Sequence, residues 1–251
     1  MRRGCAFATL LAVSTLPAGC GGGSSRPALV VSAAASLHKA FTLYAHGFSS
    51  ATVRFSFAGS DTLAAQIEQG VHPDVFASAN TSLPETLHAR GLVEKPEVFA
   101  ANTLVLAVPA KSTLTELKDA ERRGVTIAVG TPTVPVGAYT MTILGRLPAA
   151  QQRPLEDNVV DREPDVSGIV GKLVEGAVGA GFLYATDVRA TRGELRAIEL
   201  PARIQPQVAY AVAIVNGTKH LSQARAFVSG LLHGAGQLDL REAGFLPPPG
   251  T

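Results

Sequence analysis

The stretch LVVSAAASLHKA at residues 29–40 decides the fold, because it predicts a buried strand that runs directly into a helix. The apolar run 29–31 is typical of a buried strand, and Leu37, Phe41 and Tyr44 follow at helical spacing. The first turn of a helix leaves backbone N–H groups unpaired and carries the positive end of the helix dipole. This junction, with the hydroxyl of Ser36, could therefore hold an anion. Alternatively, Ser36 caps its own helix.

A second junction of the same kind follows at residues 52–67. Val53, Phe55 and Phe57 alternate with polar residues, as in a strand with one buried face. The sequence AGSDT at 58–62 then turns into a helix that ends at Gly70, and it contributes a second hydroxyl from Ser60. Repetition of the junction favours a ligand-binding role over simple capping.

The rest of the chain continues the alternation of strands and helices. Strands are predicted at 74–77, 104–108, 125–129, 158–160, 179–184, 195–200 and 207–215, and helices at 84–90, 111–123, 136–147, 165–175, 218–232 and near 237–243, with a short one after Thr186. Such alternation predicts an α/β protein built from parallel βαβ units.

No flexible linker interrupts the middle of the sequence, so two domains would have to be joined through strands. The runs 104–108 and 204–209 are the predicted crossings. This arrangement predicts lobe 1 from residues 28–105 and 208–251, lobe 2 from residues 106–207, and a hinged cleft between them.

The N-terminus predicts export from the cytoplasm. Residues 1–19 have a basic start, a short apolar core and small residues, as a secretory signal peptide does, and the apolar run is too short to span a bilayer. Cys20 follows directly and resembles the cysteine of a bacterial lipobox, although Leu16 lies one position further from it than usual. We therefore expect a lipid on Cys20 and a flexible tether over residues 20–27; plain secretion is the alternative.

Composition excludes several classes of function. Apolar residues make up 46% and charged residues 17% of the chain, as in a globular protein. Loss of residues 1–19 removes two arginines and changes the balance of 22 basic against 20 acidic residues to 20 against 20. A neutral mature chain is not expected to bind nucleic acid. Cys5 leaves with the signal, so the folded domain has no disulfide.

Catalytic and cation-binding motifs are missing from the sequence. Ser36 and Ser60 lie in AAASL and AGSDT, neither of which is a GxSxG nucleophile elbow. There is no HExxH, cysteine pair or EF-hand loop, and the loop at 130–137 lacks the lysine of a P-loop. We expect no enzyme and no bound metal cation, with a secreted serine hydrolase as the remaining enzymatic alternative.

Six stretches carry a resemblance to a known family. They are AAASL at 33–37, FAGSDTLAAQI at 57–67, PDVFASA at 73–79, VPVGAY at 134–139, NVV at 158–160 with DV at 165–166, and GFLYATD at 181–187. In this order and spacing, the chain resembles the molybdate-binding proteins of bacterial ABC transporters over residues 29–249. The resemblance implies a two-lobed periplasmic binding protein fold, no catalysis and no cofactor.

The same resemblance implies the residues of an oxyanion pocket. Two hydroxyls would come from Ser36 and Ser60, two backbone N–H groups from Val136 and Val166, and a phenol hydroxyl from Tyr184. Tyr184 could alternatively be a core tyrosine. Asp61, beside Ser60, is expected to stabilise its helix N-terminus, because a carboxylate facing the cleft would repel an anion.

Physical chemistry explains why such groups suit molybdate. Molybdate is a tetrahedral dianion without protons, so a pocket that offers only donors satisfies it. Hydrogen phosphate carries a proton that such a pocket leaves unpaired, and sulfate must be rejected by size. We therefore expect a monomeric, lipid-anchored extracytoplasmic protein that binds molybdate and tungstate and delivers them to an ABC permease. A protein for sulfate or phosphate is the alternative.

Overall fold

The computed structural model describes residues 26–249, so the predicted signal peptide and Cys20 lie outside the described residues. The strands are β1 Ala28–Ala34, β2 Thr52–Ala58, β3 Val75–Ser78, β4 Glu97–Asn102, β5 Leu104–Pro109, β6 Ile127–Gly130, β7 Val159–Glu163, β8 Ala180–Tyr184, β9 Leu195–Glu199 and β10 Val208–Ile214. The helices are α1 His38–Gly47, α2 Ser60–Glu68, α3 Ser82–Ala89, α4 Pro135–Gly145, α5 Ala149–Asp157, α6 Val166–Val174, α7 Ala185–Ala190, α8 Leu221–His233 and α9 Ala235–Ala243. Short 3-10 helices lie at Ala35–Leu37, Leu117–Glu121 and Ala202–Ile204.

The strands form two five-stranded sheets, each the centre of one lobe. The order is β2-β1-β3-β10-β4 in lobe 1 and β7-β6-β8-β5-β9 in lobe 2. The predicted α/β fold with two lobes is confirmed. The predicted boundaries at 105/106 and 207/208 stay a prediction; by sheet membership we propose that the chain first crosses at Thr103, between β4 and β5.

The sheets are mixed, which corrects the expectation of parallel units throughout. In lobe 1, β1 runs parallel to β2 and β3, whereas β10 runs antiparallel to β3 and β4. In lobe 2, β6 runs parallel to β7 and β8, whereas β5 runs antiparallel to β8 and β9. The antiparallel strands β5 and β10 directly follow the two crossings between lobes.

The predicted helix at 111–123 is wrong. The structure has only a 3-10 helix at Leu117–Glu121. The buried Asp119 carboxylate accepts the backbone N–H groups of Thr115 at 2.7 Å and Glu116 at 3.1 Å. Side-chain bonds of this kind satisfy the backbone in a turn and so compete with a regular helix. Two elements, β4 and α5, were not predicted; α5 contains Pro154, which argues against a helix in the sequence.

An aromatic cluster holds α1 against the sheet of lobe 1. The ring of Phe41 lies 5.8–6.0 Å, between centroids, from the rings of Phe55, Phe99 and Phe227. Phe41 is fully buried. Because α1 is anchored in this way, the turn that precedes it, with Ser36, has a fixed position at the end of β1.

Candidate functional site

A small cavity lies between the lobes, where strand ends meet helix N-termini. It encloses about 230 Å³, counting its open mouth. Even with this open space counted, the volume lies below the roughly 300–1,000 Å³ of clefts for drug-sized ligands, so the cavity suits a small ion better than an organic molecule. The lining residues are Ala34, Ala35, Ser36, Ala58, Gly59, Ser60, Ala79, Val134, Pro135, Val136, Asp165, Val166 and Tyr184.

All five residues of the predicted oxyanion pocket line this one cavity. Ser36 and Ser60 come from lobe 1, and Val136, Val166 and Tyr184 come from lobe 2. The structure thus brings together residues that are up to 148 positions apart in the chain (184 − 36). Their contact with a ligand stays a prediction.

The backbone donors lie in the first turns of α4 and α6. Helix α4 begins at Pro135, and Ala138 donates to the Val134 carbonyl at 2.9 Å. Val136 is the second residue of α4, so its N–H lies before the first hydrogen bond of that helix. Val166 is the first residue of α6, and its N–H has the same kind of position. Donors at these positions have no partner within their helix, so they are free for an anion.

The hydroxyl of Ser60 is held so that it can donate into the cavity. Ser60 is 1% exposed and begins α2. Its Oγ accepts the N–H of Ala79 at 3.1 Å. With a lone pair used in this way, the hydroxyl proton remains for another acceptor.

Ser36 does not cap its helix. It lies in the 3-10 turn that precedes α1, and neither this turn nor α1 has a side-chain cap bond. Its Oγ instead lies 3.0 Å from the hydroxyl oxygen of Tyr210. The capping alternative is therefore wrong for Ser36.

The hydroxyl of Tyr184 is buried at the cavity and has no hydrogen-bond partner of ordinary geometry among the described residues. The side chain is 1% exposed, and its ring lies edge-on to Tyr210 with 5.7 Å between centroids. Burial and the neighbouring Tyr210 raise the pKa of Tyr184 well above its usual value, so it keeps its proton. This hydroxyl is therefore available for a further hydrogen bond to a group in the cavity.

Asp61 and Asp165 are acidic residues next to the cavity, and one carboxylate oxygen of each accepts backbone N–H groups. Asp61 accepts the N–H of Thr62 at 2.7 Å and does not line the cavity. Asp165 lines it as the N-cap of α6 and accepts the N–H groups of Ser167 at 2.7 Å and Gly168 at 3.3 Å. Among the described residues that line the cavity, none is lysine, arginine or histidine. Helix N-termini and hydroxyls therefore supply the attraction for an anion.

Sequence reasoning missed the polar residues behind the cavity, Tyr210, Asn102 and Thr186. Asn102 donates to the Thr186 hydroxyl at 2.8 Å and lies 3.5 Å from the Tyr210 hydroxyl. Tyr210 lies in the apolar run VAYAVAIV, which indicates only a buried strand. No signal in the sequence places these side chains beside Ser36.

Residues 26–249 contain no cluster of three or more histidine, cysteine, aspartate or glutamate side chains that could hold a metal ion. In the same part of the chain, no helix combines the length and apolar character that crossing a bilayer requires.

Residues 29–246 match the family described as bacterial extracellular solute-binding protein. The chain belongs to this family. The solute-binding protein is 32% identical to the molybdate-binding protein ModA of Mycobacterium tuberculosis over 227 residues, which cover 88% of this chain and 85% of that relative. The resemblance predicted from the sequence is confirmed, and the chain is a binding protein and not an enzyme, with no cofactor implied.

Solved structures share its fold. The periplasmic molybdate-binding protein of Azotobacter vinelandii has a TM-score of 0.79 at 22% identity, over 88% of this solute-binding protein and 99% of that chain. The sulfate-binding protein SubI of Mycobacterium tuberculosis has a TM-score of 0.78 at 17% identity, and the match covers 88% of this chain and 87% of that chain. At these identities the likeness shows the two-lobed fold alone.

Proposed function

We propose that this solute-binding protein captures molybdate in the cavity between its lobes. The ion would accept hydrogen bonds from the hydroxyls of Ser36, Ser60 and Tyr184 and from the N–H groups of Val136 and Val166. The observation that carries the proposal is the Tyr184 hydroxyl, which is buried at the cavity and has no hydrogen-bond partner of ordinary geometry among the described residues. The 32% identity to a molybdate-binding protein supports this choice of ion.

The proposed site is selective because of what its groups can do. Ser60 already accepts a hydrogen bond from Ala79, and Tyr184 keeps its proton, so both act as donors toward the cavity. An ion without protons satisfies such groups, whereas hydrogen phosphate leaves its own O–H unpaired. Tungstate has the same charge and shape as molybdate, so we propose that it binds as well.

We also propose how the protein works in the cell. Closure of the two lobes on the ion would stabilise the closed form, and an ABC permease would receive the ion from a monomeric binding protein. A lipid on Cys20 would keep the protein at the outer face of the membrane. Cys20→Ser is expected to release the protein from the membrane fraction, and retention of the variant there would contradict the anchor.

Thermal unfolding with single anions tests the proposed ligand. At a molybdate concentration of 100 times Kd, binding adds about 2.7 kcal/mol, which corresponds to roughly 5–11 °C in Tm for a chain of this size. We expect this shift with molybdate and tungstate and none with sulfate or phosphate. A shift with sulfate or phosphate instead would replace the proposed ligand.

A pair of serine variants links the shift to the cavity. Ser60→Ala removes a hydroxyl from the cavity and is expected to weaken molybdate binding about tenfold, as the loss of one hydrogen bond to a charged group does. Ser56→Ala, at an exposed position on β2 of the same lobe, is the matched control and should bind as the wild type does. Equal affinities for the two variants would place the ion elsewhere.

A further inference from the structure

Four polar side chains form a connected row behind the cavity. The Ser36 Oγ lies 3.0 Å from the Tyr210 Oη, which lies 3.5 Å from the Asn102 Nδ2, and this amide nitrogen donates to the Thr186 Oγ1 at 2.8 Å. Tyr210 and Asn102 belong to the sheet of lobe 1, and Thr186 belongs to α7 of lobe 2. Tyr210 is fully buried and does not line the cavity, so it would act on a ligand through the lining side chains that it contacts, Ser36 and Tyr184.

The amide of Asn102 has a fixed orientation in this row, and it donates to the hydroxyls of Tyr210 and Thr186. Its Oδ1 accepts the N–H of Thr103 at 2.9 Å, which leaves its NH₂ group facing the two hydroxyls. An amide NH₂ can only donate. The Tyr210 oxygen therefore accepts from Asn102, and its own proton is available to a neighbouring oxygen. Ser36 Oγ lies 3.0 Å away, and by geometry alone either of these two hydroxyls can be the donor.

A Tyr210 hydroxyl that donates to Ser36 would leave the Ser36 proton for the cavity, because the serine oxygen is then the acceptor. Burial raises the pKa of Tyr210 well above its usual value, so the phenol keeps a proton to donate. Without Tyr210, the hydroxyl of Ser36 could turn and accept a proton from a ligand, as a serine hydroxyl can do either.

We propose that Tyr210 donates to Ser36 and is a positioning residue that makes Ser36 a donor only, so that the cavity binds molybdate and refuses tetrahedral oxyanions that carry a proton. This inference rests on the proposed function, since it concerns the same cavity. It assigns part of the selectivity to a side chain that does not touch the ion.

The test compares two buried tyrosines that each lose only a hydroxyl. Tyr210→Phe breaks the row, whereas Tyr44→Phe removes a hydroxyl that donates to the Phe227 carbonyl at 2.9 Å in lobe 1 and does not line the cavity. Affinities for molybdate and hydrogen phosphate are measured with the full chain by calorimetry, with phosphate followed by displacement of molybdate. We expect Tyr210→Phe to bind molybdate about tenfold more weakly and to shift the ratio of the two affinities about tenfold toward phosphate. Tyr44→Phe should leave both affinities unchanged.

A double-mutant cycle shows whether Tyr210 acts through Ser36. In a Ser36→Ala background, Tyr210→Phe should change molybdate affinity by less than about twofold, because coupled residues are not additive. An undiminished tenfold loss in that background would overturn the positioning role. Equal affinities of Tyr210→Phe, Tyr44→Phe and the wild type for both ions would overturn it as well.

A second variant keeps the test open if Tyr210→Phe does not fold. Asn102→Asp replaces the donating amide with an acceptor of the same shape, so the Tyr210 proton should turn toward it and the Ser36 proton toward Tyr210. Molybdate and hydrogen phosphate carry equal charge at pH 8, so repulsion by the introduced carboxylate weakens the binding of both ions alike. The ratio of the two affinities should therefore again shift toward phosphate. An unchanged ratio overturns the inference.

If the wild type binds no oxyanion, the proposed function fails and this inference falls with it, whereas wild-type binding with unchanged variants removes only the role of Tyr210.

Discussion

Gly59 lies close to the opposite lobe across the cleft, which makes this glycine a sensitive position for lobe closure. Gly59 precedes α2 in lobe 1. A Cβ added there would lie 2.5 Å from the Pro164 carbonyl oxygen of lobe 2 and 3.4 Å from the Val134 side chain. The backbone of Gly59 has φ −57° and ψ 137°, which alanine adopts without strain. Apart from the movable Asp61 carboxylate at 2.8 Å, the conflict created by Gly59→Ala is across the cleft.

The expected magnitude follows from that contact. Carbon and oxygen normally approach to about 3.3–3.6 Å, so the lobes would have to separate by roughly 1 Å at this point. Overpacking of this kind costs about 1–3 kcal/mol. Opening of the cleft relieves the contact, so this overpacking energy destabilises only the closed, ligand-bound form. Molybdate affinity should therefore fall roughly 5-fold to 150-fold.

Calorimetry with molybdate and thermal unfolding without ligand together test this reasoning. Gly47→Ala is the matched control, since it adds the same methyl group to lobe 1 where no atom lies within 4 Å. We expect Gly59→Ala to lose affinity while its ligand-free Tm stays close to that of the control. Wild-type affinity in Gly59→Ala would refute the close approach of the lobes in the bound form. A ligand-free Tm well below that of Gly47→Ala would refute the claim that the contact exists only in the closed form.

Two further variants probe buried groups at the cavity and behind it. Tyr184→Phe should weaken molybdate binding about tenfold without lowering the ligand-free Tm, because the lost hydroxyl has no partner of ordinary geometry among the described residues; a lower Tm with unchanged affinity in calorimetry would mark a purely structural tyrosine. Burial raises the pKa of Asp187 to about 7, so the folded protein binds more protons than the unfolded chain between about pH 4 and 7, and stability from this group falls as pH rises through that window. Asp187→Asn should flatten denaturant-unfolding stability between pH 4 and 7, and a slope equal to that of the wild type would contradict the buried carboxyl.

Local patterns in the sequence predict most elements, but long-range pairing is beyond them. The junctions before α1 and α2 follow from apolar periodicity and small residues, and they place Ser36 and Ser60 at the cavity. The antiparallel directions of β5 and β10 depend on which strands the chain meets after each crossing, and no local pattern records this. The false helix at 111–123 arose because helical spacing does not reveal that Asp119 satisfies the backbone of a turn.

The candidate site shows the same division. The resemblance to a family supplied the five lining residues, since each lies in a short recognisable stretch. Tyr210 and Asn102 lie on neighbouring strands of one sheet but 108 positions apart in the chain, and only the pairing of β10 with β4 brings them together behind Ser36. Residues that orient a ligand-binding side chain from behind are therefore found from the structure and not from motifs.

Crystals grown with molybdate and measured at the molybdenum absorption edge would test the central claim most directly. We expect one anomalous peak in the cavity between the lobes, within hydrogen-bond distance of the Ser36, Ser60 and Tyr184 hydroxyls and of the Val136 and Val166 N–H groups. A peak at another place on the protein, or none in crystals that contain molybdate, would contradict it.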